Sequence, residues 1–303
     1  MLAAKRIHHK PQYRTVGAVY TYSQDVENHA KNQIIGIDES IPREGLTKPE
    51  MQKIGAVFCA AGYEVEAYRK KKKKMCGFDM RQENGERLKS YFMLVREGLR
   101  MFGIEDDELK TELECVTPDK HALMFNRVVN KKARWNFCVA TDEYEQAPDY
   151  ASGKGTIVPF SKLPAANKVR NGFTKLGRET EINKIEDLFA EANIYYSDDT
   201  GIGYHGDSER PLVIGANMGE KRVIEFQAFD QARPIGKCMR FELRNNDVYF
   251  MCENACGHNW AEKNHKALHL RHRAGYPKWL QRNETQLKRK LAKKDQRAKK
   301  RRK

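Results

Sequence analysis

The sequence predicts a mainly β protein with flanking helices, an α+β fold class. Three observations carry this expectation. Between residues 194 and 271, six short strand-like runs alternate with tight turns, which implies a sandwich or a barrel. Upstream, apolar residues recur at helical spacing. Finally, 40% hydrophobic content over 303 residues is enough to bury a sizeable core, which excludes collagen, coiled-coil and wholly disordered chains.

Residues 1–60 show turn punctuation at Ile41-Pro42-Arg43-Glu44-Gly45 and Lys48-Pro49 with little periodicity, and read as an extension. From Gly85, the spacing of Leu88, Tyr91, Phe92, Leu94, Val95, Leu99 and Met101 predicts an amphipathic helix ending near Gly103. After Pro118 the texture turns to strands, at Arg134–Val139 and Thr156–Phe160. Two helical pieces are expected within 161–191. Strands are then expected at Ile194–Ser197, Leu212–Ala216, Arg222–Phe229, Cys238–Leu243, Val248–Met251 and Ala267–Arg271, with turns at Asn217-Met218-Gly219, Pro234-Ile235-Gly236 and Asn245-Asn246-Asp247. The tail beyond Tyr276-Pro277 is expected to hold a short helix around Trp279 and then to be disordered, because like charges repel.

No window approaches a membrane span, and the N-terminal MLAAKRIHHK lacks the apolar core of a secretory signal. Seven scattered cysteines show no disulfide-framework spacing, which suits free thiols in a reducing compartment. An intracellular setting, nuclear or cytoplasmic, is expected. The net charge is +15, and residues 286–303 hold eleven Lys/Arg against one Asp. A second block runs from Lys70 through Lys71, Lys72 and Lys73 to Lys74. Such blocks attract polyphosphates with little sequence preference, so nucleic acid is the expected partner, contacted by the lysine run and by Lys299, Lys300, Arg301 and Arg302.

The chemistry-bearing stretch is Gly201-Ile202-Gly203-Tyr204-His205-Gly206-Asp207-Ser208-Glu209-Arg210. In an extended segment residues i and i+2 share a face, so His205 and Asp207 can offer an imidazole nitrogen and a carboxylate oxygen to one point. That is two-thirds of a 2-His-1-carboxylate facial triad for Fe(II). The third ligand must come from a later strand. His258 is suitably placed after Val248–Met251, with His265, His269 and His272 as alternatives. If Arg271 points inward, alternation turns His269 inward and His272 outward. A buried Arg271 would fork onto a distal carboxylate as no lysine can. Cys252 and Cys256 with these histidines also compose a zinc-like ligand set. Gly153-Lys154-Gly155-Thr156 lacks the spacing of a phosphate-binding loop.

With these residues in place, the sequence resembles the AlkB-like 2-oxoglutarate/Fe(II)-dependent oxygenases, and more closely a divergent set carrying Gly-Ile-Gly-x-His-Gly-Asp-x-Glu-Arg. Asn193-Ile194-Tyr195, Arg134-Trp135-Asn136-Phe137, Gly153-Lys154-Gly155-Thr156 and Leu270-Arg271-His272-Arg273-Ala274-Gly275 extend the likeness over about residues 125–276. The resemblance implies a double-stranded β-helix (jelly-roll) core. It implies Fe(II) held by His205, Asp207 and a distal histidine, for which position just after a strand and well before Arg271 favours His258, and 2-oxoglutarate held by Asn193, Tyr195 and Arg271. The implied reaction is oxidative hydroxylation or demethylation of a nucleic-acid base, which must first leave its stack. A protein side chain is an alternative substrate. Tyr204 and Glu209-Arg210 are expected at the mouth. One departure stands out: the family's second arginine, six residues before the equivalent of Arg271, is here His265. A catalytically lapsed fold that binds nucleic acid is the competing expectation. The expected organisation is 1–124 as a helical and irregular region, 125–280 as the oxygenase domain and 281–303 as the tail.

Overall fold

The computed structural model describes residues 12–29, 33–36, 43–66, 68–69, 74–75, 77–81, 85–230, 232–258, 260–263 and 267–301. It is mainly β with flanking helices, as expected. Twelve strands matter for the site, numbered here in chain order: β1 Gly17–Ser23, β2 Val65–Glu66, β3 Phe92–Val95, β4 Trp135–Ala140, β5 Ile157–Pro159, β6 Phe189–Tyr195, β7 Gly201–His205, β8 Val213–Gly219, β9 Arg222–Asp230, β10 Arg233–Leu243, β11 Val248–Met251 and β12 His269–Gly275. The helices are α1 Lys48–Ala60, α2 Glu108–Glu114, α3 Pro164–Thr180, α4 Glu253–Cys256, α5 Trp260–Lys263 and α6 Pro277–Arg301. Eight of the strands form one sheet in the order β5-β4-β6-β1-β8-β11-β3-β2, and four form a second in the order β7-β12-β9-β10.

The large sheet buries both faces, and its central strands consequently read as apolar runs rather than alternating ones. In β1, Tyr20 and Tyr22 point outward: Tyr22 meets Phe173 of α3, which packs on Phe250 of β11 and on Phe102, and Phe102 in turn meets Phe58 of α1. Val19 and Thr21, on the opposite face of β1, look toward the small sheet. The outer helices are locally specified. Thr47 and Glu50 close a capping box at the start of α1, with Pro49 in its first turn, so the expected turn at Lys48-Pro49 is instead a helix start. The α3 N-terminus donates Ala165 N–H (2.7 Å) and Ala166 N–H (2.9 Å) to the Glu112 carboxylate of α2.

Four expectations are corrected. The stretch 1–60 is no mere extension: β1 lies between β6 and β8, with Val19 opposite both Asn193 and Asn217. The large sheet therefore runs across the boundary expected at residue 124. The helix expected over 85–103 is a strand Arg87–Ser90, then β3, then a 3-10 turn Gly98–Phe102. Phe92-Met93-Leu94-Val95 is buried on both sides between β11 and β2, and such a run fits strand and helix alike until tertiary partners decide. The tail expected to be disordered is helical in α6 as far as Arg301. Its sequence of Gln, Lys, Arg, Leu and Ala contains good helix formers without Gly or Pro after Pro277. Tertiary contacts fix it: Trp279 packs against the backbone at Gly201 and Gly275, and Arg273 donates to Asn283 (3.0 Å) and Glu284 (2.8 Å). Finally, the turn expected at Pro234-Ile235-Gly236 lies within β10, where the β9–β10 register shifts between Phe226 and Ala228.

Candidate metal centre

The loop from β7 to β8 carries the His-Gly-Asp segment between the two sheets. The β7–β12 register shifts between Ile202 and His205, and this irregularity brings His205 opposite His272. Gly206 is required by space: a Cβ there would collide with the Gly257 carbonyl oxygen and the Trp260 ring. Asp207 N–H donates to the Cys256 carbonyl at 2.9 Å, which ties the loop to α4.

His205, Asp207 and His272 converge, with one ligand atom from each lying within 4.8 Å of the others. His205 Nε2 lies 3.5 Å from Asp207 Oδ1, and His272 Nε2 lies 3.6 Å from Asp207 Oδ2. Donors each about 2.1 Å from a common ion at right angles would stand about 3 Å apart, so the two Asp–His gaps would each close by about half an ångström around an ion. His205 Nδ1 sits 2.8 Å from the Gly203 carbonyl oxygen, which selects the tautomer protonated at Nδ1 and leaves Nε2 as a lone-pair donor.

Protonation states suit the same role. Burial, reinforced by the neighbouring His205, pushes the His272 imidazolium pKa down to about 3, so the ring is neutral at ordinary pH. Burial alone would raise Asp207, but Arg210 and then His272 and His205 outweigh it and hold the carboxyl well below the usual carboxylate range. Arg210 is buried beside three carboxylates: Asp207 at 3.5 Å, Glu191 at 3.4 Å and Glu209 at 2.9 Å. It also donates to Thr21 Oγ1 of β1 at 3.1 Å. Burial likewise opposes ionisation of Glu191, and Arg134 and Arg210 together reverse it. Glu209 goes the other way, raised by burial to about 7.

The site residues expected from sequence divide sharply. His205 and Asp207 meet as expected. Asn193 and Tyr195 line the same cavity; Asn193 accepts from Arg134 Nε and donates to Thr21 Oγ1 at 3.2 Å. His258 does not join the cluster. It follows α4 at a separate small pocket with Glu253, Trp260 and His269. The histidine that joins is His272, and Arg271 is correspondingly on the other face of β12. Its guanidinium lies 4.4 Å from the Phe229 ring and 4.7 Å from the Trp260 ring, so it does not reach the cavity. Alternation was the right rule applied to the wrong inward residue. Tyr204 also faces outward, its ring 4.5 Å from the Arg273 guanidinium, and Arg210 is buried in the cavity wall rather than at a mouth.

Zinc-type ligation by Cys252 and Cys256 is not assembled among the described residues: Cys252 Sγ accepts from Tyr91 N–H at 3.1 Å, and Cys256 is buried and free. His265 lies outside the described residues, as do Lys70, Lys71, Lys72, Lys73 and Arg302. Lys74 pairs with Arg69 in a short hairpin, and Lys299, Lys300 and Arg301 end α6. Sequence reasoning missed Arg134, Glu191 and Arg222. Arg222 lines the cavity at the start of β9, a position that carries no motif.

Fold and site together define a mainly β protein with two histidines and one carboxylate clustered between its sheets. No protein-family profile matches the chain. Over 266 residues it is 33% identical to "Uncharacterized protein R156" of Acanthamoeba polyphaga mimivirus, covering 86% of this chain and 96% of the viral one. The chain belongs to the same family as that mimivirus protein.

Proposed function

We propose that the chain is an AlkB-like 2-oxoglutarate- and Fe(II)-dependent dioxygenase that hydroxylates or demethylates a nucleic-acid base. The observation that carries this reading is the convergence of His205, Asp207 and His272 within 4.8 Å inside a cavity. Two neutral imidazoles and one ionised carboxylate are the donor set of a non-haem Fe(II) facial triad. When bound there, iron with the oxo acid supplies the activation of O2 for attack on a C–H bond. The chain's own residues do the rest: Arg210 keeps Asp207 ionised, Gly203 orients His205, and the apolar side chains of Val19, Ile202, Val213 and Met251 restrict water.

The strand order supports a double-stranded β-helix as the core. Successive strands β6, β7, β8, β9 and β11, β12 alternate between the large and small sheets, and only β9 and β10 adjoin in the same one. In this reading β1, from the beginning of the chain, occupies the place beside β8 that a strand following β12 would otherwise fill. After β12 the chain goes straight into α6.

Support for a nucleic-acid partner comes from the charge of 286–303 and from a hairpin, His121–Met124 with Arg127–Asn130. Phe125 at its tip is 87% exposed, with Met124 and Val128 also exposed and the exposed Lys120, Arg127 and Lys132 in the same stretch. Apolar wedges between basic flanks suit unstacking of bases.

The test is anaerobic titration with Fe(II) and 2-oxoglutarate, following the visible charge-transfer band of oxo-acid chelation. The band is expected in the wild type and His258→Ala, and absent in His205→Ala and His272→Ala. A folded wild type with full metal content and no band would overturn the enzyme reading and leave a polyanion-binding protein. Deleting 286–303 should weaken polyanion binding and flatten its salt dependence without touching the band.

A further inference from the structure

Among the described residues three arginines are buried: Arg210, Arg222 and Arg273. Two are neutralised. Arg210 has Asp207, Glu191 and Glu209, while Arg273 has Glu225 at 2.5 Å and Glu284 at 2.8 Å. Arg222, only 1% exposed, has no carboxylate partner among the described residues. A guanidinium removed from water without a counter-charge is costly unless an anion completes it.

The surroundings of Arg222 hold it in one orientation. Its Nε donates to Asn217 Oδ1 at 3.0 Å, and Nη2 donates to the same oxygen. Asn217 cannot easily turn, because its Nδ2 donates to the Arg244 carbonyl at 2.6 Å. The guanidinium lies 4.4 Å from the Tyr195 ring centre, and Tyr249 lines the same space. That space is the cavity of His205, Asp207 and His272. Along β9, Arg222, Ile224 and Phe226 share a face, and Phe226 is paired with His272. Arg222 thus sits four residues, about 13 Å of strand, from the level of the imidazole. The Arg222 and His272 side chains line one cavity between those two levels, the space that a small diacid would have to span.

We propose that Arg222 anchors the distal carboxylate of a dicarboxylic 2-oxo acid whose other end meets the His205–Asp207–His272 centre. The inference rests on the oxygenase reading and replaces the role expected for Arg271. Topology supplies the reason for the displacement. Arg271 lies on the face of β12 turned away from the cavity, and β1, the neighbour of β8, offers the cavity only Val19 and Thr21, so neither strand supplies an arginine there. The other cavity arginines are occupied, Arg134 with Glu191 and Asn193 and Arg210 with its three acids. A guanidinium fork matches a carboxylate with two parallel donors, which sets selectivity for a diacid over a monoacid.

The experiment titrates Fe(II)-loaded protein anaerobically with 2-oxoglutarate and with 2-oxovalerate, which has the same chelating end and chain length but no distal carboxylate. The wild type should prefer 2-oxoglutarate strongly. Arg222→Gln should weaken 2-oxoglutarate on the order of 100-fold while leaving 2-oxovalerate nearly unchanged, and Arg222→Lys should fall between. Arg271→Gln should retain the full preference. Unfolding temperature and the near-ultraviolet spectrum of each variant check the fold, and the 2-oxovalerate band is an internal control in the same sample. Preference retained in Arg222→Gln, or lost in Arg271→Gln, overturns the assignment while the oxygenase reading stands. A wild type that chelates neither oxo acid overturns both.

Discussion

Arg210 offers the most direct test of how the candidate centre is kept ionised. Arg210→Gln removes the one cation that lies within 3.5 Å of Asp207, Glu191 and Glu209 together. Glutamine keeps a donor toward Thr21 but leaves Asp207 and Glu209 without their arginine and Glu191 with Arg134 alone. Breaking a buried pair from one side costs about 3–5 kcal/mol, a large part of the roughly 5–15 kcal/mol that stabilises a folded protein. The cost should depend on pH. In the wild type, Asp207 and Glu191 have depressed values, so their stabilisation is present above the ordinary carboxylate range and is lost as pH falls through their folded values. Without Arg210, the largest influence opposing burial at Asp207 is gone and this carboxyl shifts upward. The folded variant then binds more protons than the unfolded chain, and its stability rises as pH falls. The gap between wild type and variant should therefore be widest at pH 7–8 and narrower near pH 5. Equilibrium urea unfolding at both pH values measures it. A loss below about 1 kcal/mol at pH 7.5, or a gap that does not change with pH, would refute the account of Arg210 as the counter-charge of this centre.

Further expectations concern the frame around the site. Gly206→Ala should abolish Co(II) binding, read by absorption spectroscopy, because its Cβ has no room between Gly257 and Trp260 and the chain must shift Asp207; unchanged affinity would mean the loop is slack. His272→Ala should lower metal affinity by more than 10-fold, and His258→Ala by less than two-fold, in a competition titration. Trp279→Ala should cost about 3–5 kcal/mol and release the amides of α6 to hydrogen exchange, since the indole is the apolar anchor on Gly201 and Gly275. Burial raises Glu112 to about 7, so the wild type should gain stability as pH falls from about 7 toward the ordinary carboxylate range, a gain that the non-titrating Glu112→Gln should lack; urea unfolding that gives the two proteins the same pH dependence between about pH 5 and pH 8 would refute this.

What was legible in the sequence was local. The strands from β8 to β12 were visible as β-branched and aromatic runs between turns, although their ends shifted and β7 was overlooked within the motif it carries. His205 and Asp207 could be paired because residues two apart in an extended chain share a face whatever surrounds them. Gly206 was likewise written into the motif, although the Trp260 ring that demands it was not.

The sequence by itself determined the mainly β class, the flanking helices and two of the three candidate ligands, all of which depend on spacing within a few residues. Only tertiary structure decided the third. Whether His272 or Arg271 turns inward depends on which face of β12 meets the large sheet, and adjacent residues of a strand always take opposite answers. Tertiary structure also decided that β1 enters the middle of the large sheet and that α6 is docked rather than loose. A strand buried on both faces has no alternation to reveal it, and a basic helix is held by Trp279, Asn283 and Glu284 reaching partners far away in the chain. Arg222 illustrates the limit most clearly: as a residue it is one of many cations, and only burial without a carboxylate, in the cavity of His205 and His272, gives it a role.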